Sequence, residues 1–267
     1  MKKRFLVLSL VALLAAGACK ETTISDDGPD IENPGENQGD VVEISGEITA
    51  NTTWTADKIY LLKGFVYVTD GATLTIEPGT IIKGDKATKA TLIINRGAKI
   101  SAVGTVDKPI VFTSALAAGA RSQGDWGGLI LLGKAPTNQG ANVKIEGGLK
   151  APDGKDDANY IYYGGSDGAD NSGSLKYVRI EFGGIPYSVD NEINGITLGG
   201  VGSGTTLDYI QVYRSGDDAF EWFGGTVNAK HLLAIGTWDD DFDTDYGFSG
   251  KIQFALAQRV ATVADQS

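Results

Sequence analysis

The sequence predicts an all-β solenoid, a stack of coils in which no single unit can bury its apolar face alone. Three observations carry that prediction. Gly71-Ala72-Thr73-Leu74-Thr75-Ile76 returns 26 residues later as Gly97-Ala98-Lys99-Ile100-Ser101-Ala102, and a 22-residue period runs through the C-terminal third of the chain. From Val41 onward, short runs rich in Val, Ile, Leu, Thr and Tyr alternate with Gly, Pro, Asp and Asn, the pattern of strands and turns. The 267 residues also include 37 glycines, a load that turns accept and helix interiors do not.

The first 18 residues read as a leader rather than as fold. Lys2-Lys3-Arg4 is a basic start, residues 5–16 are an apolar run, and Ala16-Gly17-Ala18 supplies small residues for cleavage. The run is too short to cross a bilayer as a helix, which takes roughly 20 residues. Cys19 follows at once and is the only cysteine, which excludes an intrachain disulfide and a cysteine-built zinc cluster. Residues 19–40 are polar and acidic without apolar periodicity and are expected to form a disordered tether.

Lys and Arg number 23 against 34 Asp and Glu, a formal charge of −11 that becomes −14 once Lys2, Lys3 and Arg4 leave with the leader. Such a field repels phosphate backbones, so nucleic acid is not an expected partner. Cations and neutral glycans are admissible.

Residues 41–267 form the expected β domain. In its first coils Val66 and Val68 recur as Leu92 and Ile94, and Leu74 and Ile76 recur as Ile100 and Ala102. Residues one coil apart lie above one another at about 4.8 Å, so these aliphatics pile into inward columns while Thr73, Thr75 and Lys99 face outward. Across residues 133–173 the period fails and Gly, Asp and Asn dominate, with strand-like pieces only at Val143-Lys144-Ile145 and Tyr160-Ile161-Tyr162. This is expected to be a long lateral loop, functional or disordered. Strands beginning at Leu175, Leu207, Ala229 and Lys251 then align. Their register places Val178, Ile210, Leu232 and Phe254 in one inward column and Ile180, Val212, Ala234 and Leu256 in the next. Trp126 and Trp222 read as core or corner packing. The chain stops at Asp265-Gln266-Ser267 without the polar cap that a solenoid needs, which predicts truncation at the C-terminus.

This pattern resembles the right-handed parallel β-helix of the pectate-lyase superfold, and the region from Val41 to Leu256 is similar to β-helix lipoproteins of Bacteroidota. Cys19 with its small-residue flank resembles a bacterial lipobox, with Ala16 at the place of the usual leucine. The acidic cluster at Asp26, Asp27 and Asp30 resembles the export signal of those lipoproteins. The resemblance implies lipidation at Cys19, anchorage in the outer membrane and display at the cell surface. It does not choose a reaction, because such folds host lyases, hydrolases, adhesins and inert stalks.

Two constellations point to chemistry. In the run from Asp239 to Gly247, the side chains of Asp239, Asp241, Asp243 and Asp245 share one face if the segment is extended, and a shift of 22 sets Glu221 under Asp243. Carboxylates stacked at strand spacing repel, so a hard cation, a raised pKa or solvent must offset them. Calcium suits such a set, since it takes roughly six to eight oxygens from carboxylates and carbonyls. The run is not an EF-hand, because Gly247 falls one place late and Ile252 stands where the bidentate glutamate belongs. Gly216-Asp217-Asp218 and Asp243-Thr244-Asp245 resemble the Gly-Asp-Asp and Asn-Thr-Asp motifs of polygalacturonases, which implies catalytic carboxylates at Asp217, Asp218, Asp243 and Asp245. The two motifs stand here in reversed order, and that family's Gly-His-Gly and Arg-Ile-Lys motifs are missing. A bound cation, a solvated acidic turn and a catalytic pair all stay open at this point.

The second constellation is a ladder. The alignment of those strands stacks His231, the only histidine, outward with Tyr177 and Tyr209, beside Arg179, Gln211 and Tyr213. Such a face fits sugar rings and their hydroxyls, and it equally fits cross-strand stacking that only stabilises the sheet. No serine stands beside a histidine–carboxylate pair, so a nucleophilic triad is not indicated. The expected function is a non-catalytic binding or display module for a glycan or a protein partner, stiffened by calcium. The alternative is a polysaccharide-active hydrolase or lyase.

Overall fold

The computed structural model describes residues 39–188 and 191–263. The leader, Cys19 and nearly all of the tether lie outside them. Strands pair in parallel with their counterparts one coil on, giving a parallel β-helix with three stacks of strands. The first stack holds the C-terminal half of β3 (Lys58–Val68), then β6 (Thr91–Ile94), β9 (Gly128–Leu132), β15 (Ile196–Gly199), β17 (Phe220–Phe223) and β19 (Phe242–Asp245). The second runs from β1 (Asp40–Ile48) through β3, β5 (Ile81–Gly84) and β8 (Ile110–Ser114). It continues through the C-terminal halves of β12 (Gly173–Glu181), β16 (Thr206–Tyr213), β18 (Asn228–Ile235) and β20 (Ile252–Gln258). The third joins β2 (Thr52–Trp54), β4 (Thr73–Ile76) and β7 (Lys99–Val103) to the N-terminal half of β12.

The predicted columns are the core of this stack. Val66, Leu92, Leu129, Ile196 and Phe220 succeed one another in register on the inner side of the first stack, all buried. Leu74 lies over Ile100, and Ile76 over Ala102. Each fully buried aliphatic contributes roughly 1.5–3 kcal/mol. Trp126 and Trp222 are fully buried, and the Trp126 indole donates a 2.8 Å hydrogen bond to the Glu181 carbonyl.

Two excursions leave the coils. The lateral loop folds back over the outer side of the first stack through the antiparallel pair β10 (Val143–Lys144) and β11 (Tyr162–Tyr163). Its Ile145, Leu149, Ile161 and Tyr163 cover Tyr67, Ile93 and Ile130, forming a second hydrophobic core. That cover explains why β6 and β9 are apolar on both faces. A second excursion separates β12 from β15, where β13 (Ile185–Ser188) and β14 (Asn191–Ile193) pair antiparallel.

One register expectation is corrected. Val178, Ile210 and Leu232 form a buried column, as do Ile180, Val212 and Ala234. The turn before β20 is one residue longer, so Leu232 pairs with Ala255 and Ala234 with Ala257. A slip of one residue sends side chains to the opposite face. Phe254 and Leu256 are therefore not inward; each is 61% exposed.

Candidate functional site

The ladder exists and is longer than its sequence suggests. Tyr177 stacks on Tyr209 at 4.6 Å between ring centroids, Tyr209 on His231 at 4.1 Å and His231 on Phe254 at 4.9 Å, with interplanar angles of 11–12°. All four residues have positive φ, between 51° and 63°. They sit at the bend where each long strand turns from the third stack into the second, a conformation that costs a non-glycine residue about 1–2 kcal/mol. Stacking offsets that cost, since each aromatic pair adds roughly 0.5–1.5 kcal/mol. Asp208 accepts a 2.8 Å hydrogen bond from His231 Nδ1 and lies 3.4 Å from the Lys176 ammonium. That bond turns Nε2 of the imidazole away from Asp208.

Beside the ladder lies a groove of about 360 Å³. Tyr177, Arg179, Tyr209, Gln211 and His231 line it, and Val106, Pro109 and Leu233 supply an aliphatic wall. Tyr213 does not join them, because its ring packs edge-on against Phe182 at 5.5 Å. Arg179 is also committed in part to an ion pair with the buried Glu181. Because the rings lie face to face, they present their edges to the groove.

The acidic residues gather where the lateral cover stops. Along the outer side of the first stack, Tyr67, Ile93 and Ile130 give way in the same column to Thr197, Glu221 and Asp243. Asp218 joins them from the turn before β17, and carboxylate oxygens of Asp218, Glu221 and Asp243 lie within 4.8 Å of one another. The cleft above them measures about 450 Å³, and among the described residues no basic side chain lines it. Glu146 enters the cleft from the lateral loop beside Glu221, and Asn194, after the hairpin, donates through its Nδ2 to the Glu221 carboxylate. Glu192 and the half-exposed Trp238 stand at the rim.

Glycines set this meeting of the two excursions. The amides of Gly147 and Gly148 donate to Asn191 Oδ1 at 2.8 and 3.2 Å, with φ of 84° and 64°. A Cβ on either would stand 2.4 Å from a hairpin side chain, Ile193 or Tyr187. Only glycine lets Glu146 approach this closely.

Burial without a countercharge raises five carboxyls of the cleft. Desolvation pushes Asp217 up to about 7 and Asp218 up to about 8, each raised further by neighbouring carboxylates. Burial likewise raises Glu146, Glu221 and Asp243. The arrangement can hold protons at neutral pH, or it can hold a cation instead of them.

Of the residues singled out in the acidic runs, Glu221, Asp243, Asp217, Asp218 and Asp239 share this cleft. Asp241 is turned aside by Arg259, which donates to it at 2.8 Å, and Asp245 is exposed outside the lining. Glu146, Glu192, Asn194 and Trp238 were not foreseen. A signal for the hairpin residues existed, since Leu175 and Leu207 stand 32 positions apart where Leu207 and Ala229 stand 22 apart. Nothing in the sequence pattern points to Glu146.

A family model described as a pectate-lyase like beta helix domain matches residues 46–266. No curated protein and no solved structure matches the chain.

Proposed function

We propose, from the premise that this chain belongs to the pectate-lyase-like β-helix domain family, that it is a binding module which holds a glycan chain along the ladder groove. The supporting observation is the mixed make-up of that groove. Val106, Pro109 and Leu233 bring aliphatic surface to the same groove as the rings of Tyr209 and His231 and the amide of Gln211, which pairs with Leu233 one strand on. A sugar chain is mixed in the same way, with C–H faces that favour apolar surface and hydroxyls that need donors and acceptors. Lys2-Lys3-Arg4, the apolar run and Cys19 support attachment by an acylated Cys19 at the outer face of the outer membrane.

A second reading, polysaccharide cleavage, draws on the acidic cleft. Asp217 and Asp218, raised to about 7 and about 8, would present proton donors beside Asp243, the pairing that glycosidic hydrolysis uses. One experiment separates the two. Mature protein is titrated calorimetrically against neutral and acidic polysaccharides while reducing ends and unsaturated products are followed. The binding reading expects saturable binding without product, weakened roughly tenfold or more by Tyr209→Ala and by Gln211→Ala. Binding to none of the panel, or product release lost in Asp217→Asn, overturns it. For the anchor, Cys19→Ala is expected to move the protein from the membrane fraction to the soluble one, and an unchanged partition would refute lipidation.

A further inference from the structure

We propose that the corner where the first stack turns toward the third, closed over by the lateral loop, binds a small polyhydroxylated carboxylate. The site is a cavity of about 320 Å³. Thr69, Asp70, Asn95, Arg96 and Lys134 line it from the turns after β3, β6 and β9, and residues 158–160 of the loop complete it. It shares no lining residue with the ladder groove or the acidic cleft, so it stands or falls separately from glycan binding.

Two cationic side chains reach this cavity in a chain of formal charge −11. The oxygens that hold Arg96 are uncharged: Asn142 Oδ1 at 2.9 Å and the carbonyls of Ala158 at 2.8 Å, Gly164 at 3.2 Å and Ala141 at 3.5 Å. Those bonds fasten the loop but leave the guanidinium charge uncompensated. Burial lowers its pKa, a cost that an anion in the cavity would relieve. Lys134 Nζ and Asp70 Oδ1 meet over Gly97, where an added Cβ would collide with the carboxylate and lie 2.8 Å from the ammonium. The absent side chain leaves that space to the two charged groups. Lys134 also attracts Asp170, a carboxyl outside the lining whose pKa burial raises. Over the lining itself, two cations less the one carboxylate of Asp70 give a formal charge of +1, the complement of a monoanion.

Asn95 says what else the ligand carries. It is 1% exposed, its Nδ2 donates to the Asn159 carbonyl at 2.7 Å, and its Oδ1 has no hydrogen-bond partner among the described residues. The Asn159 carbonyl fixes which end of the amide is the oxygen, since it accepts only from a donor. A buried acceptor without a donor is costly, and a hydroxyl supplies that donor where a plain anion does not. Asp70 offers a second acceptor. The carboxylate of the ligand is therefore assigned to Lys134 and Arg96 and its hydroxyls to Asn95 and Asp70, in a cavity large enough to enclose a six-carbon acid.

The test is calorimetric titration of the mature protein with gluconate. Sorbitol, which keeps the hydroxyls without the charge, and hexanoate, which keeps the charge without the hydroxyls, are the comparisons. Gluconate is expected to bind at one site per chain, with each comparison compound weaker by roughly tenfold or more. Lys134→Gln should weaken gluconate roughly tenfold, and Lys134→Arg should restore most of the affinity, a recovery that a mere change in loop packing would not give. Asp70→Asn keeps an acceptor and removes the negative charge, so it should tighten binding severalfold. Gluconate that fails to bind, sorbitol or hexanoate that matches it, affinity indifferent to Lys134→Gln, or weaker binding in Asp70→Asn would each overturn the proposal.

Discussion

Tyr209 and His231 stack at 4.1 Å although both occupy the left-handed region, with φ of 55° and 53°. The same bend recurs at Tyr177 and Phe254, so four consecutive coils repeat a conformation that L-residues avoid. Side-chain stacking, rather than backbone preference, places aromatic residues there.

That relationship reverses the usual order of two substitutions. Tyr209→Ala and Tyr209→Gly both lose two ring contacts, but alanine keeps the Cβ that is strained at positive φ and glycine does not. Urea denaturation is expected to find Tyr209→Gly more stable than Tyr209→Ala by about 1 kcal/mol. Elsewhere in a strand, glycine is the poorer residue by a similar margin. Equal stability, or alanine ahead, would mean that the bend is not set by the ladder.

Tyr163 closes the lateral loop over the first stack, 1% exposed and 6.2 Å from the Phe223 ring. Removing so large a buried side chain costs roughly 3–5 kcal/mol, here taken from the loop's own core. Tyr163→Ala is expected to release the loop, giving rapid proteolysis within residues 153–158 while the coils keep their far-ultraviolet spectrum. Loss of the β signal together with the loop would show instead that the two cores fold as one unit.

Much of this was legible because a solenoid writes its contacts at a fixed spacing. Glu221 under Asp243 and Ile210 under Leu232 follow from counting 22 residues along the chain, and the structure places both pairs so. Phe254 escaped because a single added residue in a turn resets the count, and a turn carries no apolar period to reveal it. Glu146 escaped for a different reason. Its position depends on a loop whose only repeat-free anchor is tertiary packing, pinned by Asn191 to Gly147 and Gly148 from far along the chain. Periodicity finds neighbours within the stack and is blind to what folds across it.

The acidic cleft finally makes stability depend on pH in a direction unusual for carboxylates. Asp217 and Asp218 titrate near 3.9 in an unfolded chain, but burial lifts them to about 7 and about 8 in the folded one. Between those limits the folded state binds more protons than the unfolded state, so stability falls as pH rises. Their contribution is full below about pH 4 and is lost as pH climbs through 7 to 8. In chelator, Tm is therefore expected to drop by roughly 5 °C or more between pH 5 and pH 8.5, a change of about 2 kcal/mol for a chain of this size. Scanning calorimetry at both pH values reads the trend. A Tm that rises with pH in chelator would mean that the cleft carboxyls are already ionised and solvated, and that their burial is not what governs them.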